Sequence, residues 1–189
     1  TDRAGQGSLY RIDRARGTVS WRREVGVTIS SGPRLDDSRV VYAGRNDAED
    51  SGVFALSRAD GSEQWAVRED EGSYGELSQI VDGRVYAGST GTPETHAIDT
   101  SRGVTEKTVE NSSTERIRAT TDAVYLTTGY DLVKFPRDLS ERSWQFVYDG
   151  VPYRAPLLDG DSVYTAGRSG GLHRIDADTG EVVWTYSGT

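Results

Sequence analysis

An apolar residue stands nine positions ahead of a tryptophan four times in this chain: Ile12 with Trp21, Leu56 with Trp65, Phe135 with Trp144, and Ile175 with Trp184. A fifth register, Ile98 with Lys107, keeps the spacing and lacks the indole. Five residues after each apolar anchor stands Gly17, Gly61, Gly103, Ser140 or Gly180, and Asp13, Asp99 and Asp176 follow the anchor directly. The anchors lie 44, 42, 37 and 40 residues apart. A unit that returns at this interval cannot bury its own apolar faces and must stack on its neighbours.

A second element interleaves with the first: "VYAG" at 41–44, "VYAG" at 85–88, "VYLT" at 124–127 and "VYTAG" at 163–167. Ahead of each lies a short segment ending in an acidic turn: "SGPRLDDSR", "LSQIVDGR", "RATTD" and "RAPLLDGD". Each unit therefore reads as four short strands, A to D, for example "SGPRL", "VVYAG", "GVFAL" and "SEQWAV". Val, Tyr, Ile, Leu and Trp fill the strands, and turn-forming residues cluster between them. Asp next to a glycine that tolerates positive φ gives the C–D hairpin its turn chemistry. Helical periodicity is not sustained anywhere. The expected fold is all-β, a β-propeller of four-stranded antiparallel blades. It has four full blades after a leading half blade: a half blade at 1–25 and blades at about 26–68, 69–110, 111–147 and 148–189. Such an arc is expected to belong to a ring of seven or eight blades, its edges covered by the rest of that ring or by another chain. The repeated tyrosines Tyr42, Tyr86, Tyr125 and Tyr164 read as strand B packing.

The sequence of VY, then LYxID, then xxTGxxxW resembles the repeats of pyrroloquinoline-quinone dehydrogenases. It is equally similar to their non-enzymatic relatives, among them the outer-membrane barrel-assembly lipoprotein. The resemblance runs from Gly7 to Trp184. It implies that the motif tryptophans Trp21, Trp65, Trp144 and Trp184 dock between adjacent blades, with Trp184 largely buried. Lys107, Pro136 and Ser140 depart from the pattern, so docking there is expected to be weaker. The quinone enzymes hold their cofactor with a vicinal cysteine pair and a calcium-bound constellation, and this chain has no cysteine. No bound cofactor and no catalytic or metal-binding residue is expected. The tract "NDAED" at 46–50 is the best calcium candidate, but Ala48 stands where an oxygen ligand is needed, and it reads as an acidic loop. His96 and His173 occupy matching strand C positions and read as structural. "AGRSGG" at 166–171 joins two strands and reads as a hairpin, not a phosphate loop.

Composition narrows the remaining classes. Acidic residues number 30 against 22 Lys and Arg, for a net charge of −8, and only Lys107 and Lys134 are lysines. That balance argues against nucleic acid as a partner. It fits a protein of a salt-loving microbe or an ordinary acidic protein of a GC-rich genome. No apolar run is long enough to span a membrane. The sequence has no methionine, so Thr1 is expected to open a processed or excised piece. The sequon "NSS" at Asn111 inclines the expected location toward the cell exterior or surface. The D-to-A connections "EDEGSYGE" (69–76) and "VYDGVPYRAP" (147–156) break the repeat near the axial mouth. With them, Tyr74, Glu76, Arg118, Tyr153 and Arg154 are the candidate partner-binding residues. The expected function is a non-catalytic scaffold propeller that binds a protein. A ligand-sensing domain of a larger protein and a fragment of a quinone-dependent dehydrogenase remain as alternatives.

Overall fold

The computed structural model describes residues 7–45, 51–69, 73–89, 92–110, 116–152, 154–168 and 171–187. A leading hairpin, β1 (Ser8–Ile12) and β2 (Val19–Glu24), precedes four four-stranded sheets. Blade 1 holds β3 (Thr28–Leu35), β4 (Arg39–Arg45), β5 (Ser51–Ser57) and β6 (Glu63–Glu69). Blade 2 holds β7 (Tyr74–Leu77), β8 (Arg84–Ser89), β9 (Glu94–Asp99) and β10 (Val104–Glu110). Blade 3 holds β11 (Arg116–Ala119), β12 (Ala123–Thr127), β13 (Asp131–Pro136) and β14 (Trp144–Val147). Blade 4 holds β15 (Leu157–Asp159), β16 (Ser162–Ala166), β17 (Leu172–Asp176) and β18 (Val182–Tyr186). Strand order in every sheet follows chain order and every pairing is antiparallel, as the blades of a β-propeller require.

Burial explains why the second strand of each unit is a nearly unbroken apolar run. It is covered on both faces by neighbouring blades, so both alternating side-chain sets must be apolar. Val41, Tyr42 and Ala43 in β4 are all buried, as are Val85, Tyr86 and Ala87 in β8. The outermost strand meets solvent, and β10 accordingly reads VTEKTVE with almost every residue exposed. Four apolar clusters tie the units in sequence. One joins the leading hairpin to blade 1 through Leu9, Val40, Phe54 and Leu56. The others join blade 1 to 2 through Val53 and Ile98, 2 to 3 through Tyr86 and Phe135, and 3 to 4 through Tyr125, Trp144 and Ile175.

The ladders correct one equivalence in the repeat. The anchors pair with Val40, Val85, Val124 and Val163. In blades 2 to 4 the tyrosine follows that valine directly; Tyr86 and Tyr125 face the next blade, and Tyr164 lies against Trp184 of its own blade. In blade 1 Val41 holds this place and Tyr42 comes one residue later. A one-residue shift sends a strand side chain to the opposite face. Tyr42 therefore stacks on Phe54, ring centroids 5.3 Å apart, in the cluster shared with the leading hairpin.

Candidate functional site

The C–D turns are built alike. Asp13 Oδ1 accepts from the amides of Ala15 and Arg16, Asp99 Oδ1 from Ser101 and Arg102, and Asp176 Oδ1 from Asp178 and Thr179, all at 2.8–3.0 Å. The Ser101 hydroxyl and these amides hold the Asp99 carboxyl down at about 2. The Thr179 and Asp178 amides lower Asp176. After each of these turns the strand pairing slips by one residue just before the tryptophan position, between Arg11 and Ile12, Thr105 and Lys107, and Arg174 and Ile175. Such a bulge re-aims the next side chain out of its sheet.

Three indoles reach the turn of the following blade, Trp21 and Trp65 from bulged ladders and Trp144 from a ladder without a register shift. Trp21 Nε1 donates to the Arg58 carbonyl at 3.1 Å, Trp65 Nε1 to Thr100 at 2.9 Å, and Trp144 Nε1 to Ala177 at 3.0 Å. Each ring lies on the turn glycine of that blade. A Cβ on Gly61 would stand 2.9 Å from the Trp21 ring, one on Gly180 would stand 2.6 Å from Trp144, and one on Gly103 would be closer still to Trp65. These glycines also hold φ of +75°, +64° and +75° at 61, 103 and 180. Trp184 differs from the expectation of burial. It is 39 % exposed, its ring 6.1 Å from that of Tyr164 within its own blade, because no described residue presents a turn beyond β18.

The blade 2–3 junction lacks both halves of this device: Lys107 replaces the indole and Ser140 the receiving glycine. The equivalent acceptor, the Arg137 carbonyl, is met instead by the Tyr86 hydroxyl at 2.5 Å and Arg84 Nη1 at 3.3 Å. The turn itself is tighter, closed from the Leu139 amide to the Pro136 carbonyl, with Leu139 at φ +53°. Leu139 is fully buried in the blade 2–3 cluster. A leucine from the receiving blade thus fills space that an indole from the donating blade fills elsewhere. The expectation of weaker docking did not foresee this replacement.

On the inner strands the candidate residues separate. Tyr74 is not exposed: it is only 2 % accessible, its ring edge-on to His96 at 5.3 Å, so it belongs to the core and not to a binding surface. Glu76 lies 3.7 Å from Arg34 of the neighbouring blade. Burial pushes its carboxyl up, against the pull of Arg116 and Arg34. Arg118 is half-buried on β11 opposite Tyr125, and Arg154 is exposed. Tyr153, the 46–50 tract and Asn111 lie outside the described residues. Sequence reading missed Arg34, whose Nε and Nη2 bond the Leu77 and Ser78 carbonyls at 2.6–3.1 Å. A charged residue on an innermost strand was the available signal. It also missed an apolar group at the loop end of blades 3 and 4: Tyr130, Val147 and Leu157 are each at least 60 % exposed.

His96 and His173 share one role, each with Nδ1 about 3 Å from a threonine hydroxyl of the adjoining outer strand, Thr108 or Thr185. Among the described residues no three of His, Asp and Glu converge as a metal site, and no helix is long and apolar enough to cross a membrane.

Comparison with known proteins agrees with this architecture. The family described as outer membrane protein assembly factor BamB matches residues 3–186. BamB from Moraxella catarrhalis superposes with a TM-score of 0.70 at 21% identity, over 97% of this chain and 59% of that one. Saccharomyces cerevisiae Sqt1 superposes at 0.81 and 16% identity, over 98% and 57%. The computationally designed Ika8 protein does so at 0.76 and 13%, over 93% and 54%. The chain thus spans a little over half the length of these structures. A search of curated proteins found no match.

Proposed function

The chain belongs to the family of the outer membrane protein assembly factor BamB, and from that premise we propose that it is a non-catalytic scaffold propeller that binds a protein partner on its loop face. One observation carries the reading: Tyr130, Val147 and Leu157 lie exposed at the same end of blades 3 and 4, where Arg116 and Arg154 are also exposed. Strand direction puts the starts of the innermost strands, the ends of the outermost ones and the β12–β13 loop at this end. Exposed aromatic and aliphatic groups beside arginine have the composition of a protein-binding patch. The family's name is that of an assembly factor, a role exercised through protein contacts. Arg118, half-buried farther along the innermost strand β11, is a further contributor in this reading.

The setting we propose is outside the cytoplasm, at the cell surface, in a high-salt organism. The acidic, lysine-poor composition and the sequon support this reading.

A photo-crosslinking residue placed at Tyr130 is expected to capture one partner in parent cells, and the same residue at Ser38, on the opposite end, is expected not to. Val147→Asp combined with Leu157→Asp should abolish capture from position 130 without lowering the melting temperature. Equal capture from both ends would sink the loop-face assignment. A quinone chromophore retained after incubation with calcium and pyrroloquinoline quinone would overturn the non-catalytic reading.

A further inference from the structure

The end of the molecule opposite the loop face carries a cleft of about 530 Å³ between the leading hairpin and blade 1, lined by Arg11, Asp37, Ser38, Arg39, Arg58 and Gln64 among others. Its size suits a small ligand, and three guanidinium groups dominate its charge in a chain of net charge −8.

The repeat supplies an internal control for what the fold itself requires at these places. Taken junction by junction, the ladders match Arg11 with Ala55, Ala97 and Lys134, and Arg39 with Arg84, Ala123 and Ser162; Arg174 holds the Arg11 place in blade 4, beyond which no described residue forms a junction. Counting from the anchors makes Arg58 equivalent to Thr100, Arg137 and Ala177. Each of the other three junctions, Ala55 with Arg84 and Thr100, Ala97 with Ala123 and Arg137, and Lys134 with Ser162 and Ala177, thus has a single cation in the trio, and each such cation is engaged. Arg84 pairs with Glu106, Arg137 pairs with Asp82 at 3.0 Å, and Lys134 donates to the Ala177 carbonyl at 2.7 Å. The junction of the leading hairpin with blade 1 carries two cations more than the other junctions hold.

These arginines retain unused donors. Arg11 spends only Nη1, on the Arg58 and Ala59 carbonyls, and Arg58 spends only Nη1, on the Asp36 carbonyl. Arg39 Nε is buried with no acceptor among the described residues, as is Arg137 Nε at the blade 2–3 junction. Asp36 partly offsets Arg39 at 3.6 Å, and Asp37 is the exposed acid at the rim.

We propose that this cleft binds a small, multiply charged oxyanion through Arg11, Arg39 and Arg58, separately from the partner on the loop face. Guanidinium groups with parallel free N–H donors are suited to carboxylate and phosphate oxygens. Isothermal titration of the protein with citrate and with inorganic phosphate, at one fixed ionic strength, tests this. Saturable binding of citrate assigns a polycarboxylate, and binding of phosphate assigns a phosphate group. Arg58→Gln is expected to weaken binding about tenfold or more, the loss of a charged hydrogen bond. Asp37→Asn, an exposed substitution that leaves the fold intact, should tighten it severalfold, which a merely structural cleft would not show. Arg142→Gln, on the exposed surface of blade 3, should change nothing. Failure of both anions to bind, no change on Arg58→Gln, or an equal loss on Arg142→Gln would each overturn the proposal.

Discussion

A tryptophan, a glycine and a carbonyl form the smallest unit that holds this molecule together. The indole of one blade covers the turn glycine of the next, and its N–H closes on a carbonyl three residues before that glycine. Trp144 and Trp184 test how much the second blade contributes, since they occupy the same place in their own sheets. Trp144 is 8 % exposed and Trp184 is 39 % exposed. Trp144→Ala is expected to cost about 3–5 kcal/mol, as for a large aromatic removed from a packed site. Trp184→Ala should cost about 1 kcal/mol or less in the same chain, near the range of surface substitutions. Paired urea melts decide the matter, and equal losses would show that the receiving turn adds nothing. The tryptophans and glycines were legible in the sequence because both recur at fixed offsets from the anchor. Their partnership was not, since the offset relates positions within one unit and the contact runs between two.

At the scale of the element, the blade 2–3 junction shows a turn rebuilt to replace a lost indole. Lys107 and Ser140 are visible in the sequence as departures 33 residues apart. Only the register shows that they face one junction, and nothing in the repeat marks Leu139 as core. Tyr86→Phe removes the hydroxyl that serves the Arg137 carbonyl while keeping the packed ring. It should cost about 1–3 kcal/mol, the penalty for a buried acceptor losing its best donor. A loss no greater than that of Tyr130→Phe, an exposed tyrosine, would assign the carbonyl to Arg84 instead. The turn aspartates set a second expectation at this scale. Asp13, Asp36, Asp60, Asp99, Asp138 and Asp176 all have carboxyls held below the usual range, Asp60 and Asp99 at about 2. A lowered folded-state pKa gives stability that is present above about pH 4 and is lost as pH falls toward 2. Glu76, raised by burial, acts with the opposite sign. Stability should therefore decline through this acid window, and Asp99→Asn should make the decline shallower. An unchanged acid limb in that variant would place the sensitivity elsewhere.

Over the whole molecule, the repeat period made the architecture readable, while its two ends expose what a blade looks like without a neighbour. At one end β18 presents Val182, Val183, Trp184 and Tyr186, each 39 % exposed or more. At the other the leading hairpin presents Tyr10, Ile12 and Val19, each more than half exposed, together with the turn at Gly17. Gly17 has the left-handed φ of its counterparts, +68°, but no atom within 4 Å of where a Cβ would stand. The two ends therefore carry the two unused halves of the device that joins the interior blades. Apolar faces of this kind on a soluble protein are expected to find a cover. We expect a further apolar surface, such as a second copy of this chain, to supply it. For the chain of residues 1–189 by itself the expected outcome is association that grows with protein concentration in sedimentation velocity. Molar KCl should strengthen that association, because it screens the repulsion between chains of net charge −8. Trp184→Glu should weaken it by removing the indole and adding a charge. Gly17→Val should weaken it by filling the receiving turn, although these two residues stand at opposite ends of the arc. A chain that stays monomeric at its solubility limit in both low and molar salt would refute the idea that these edges are docking surfaces.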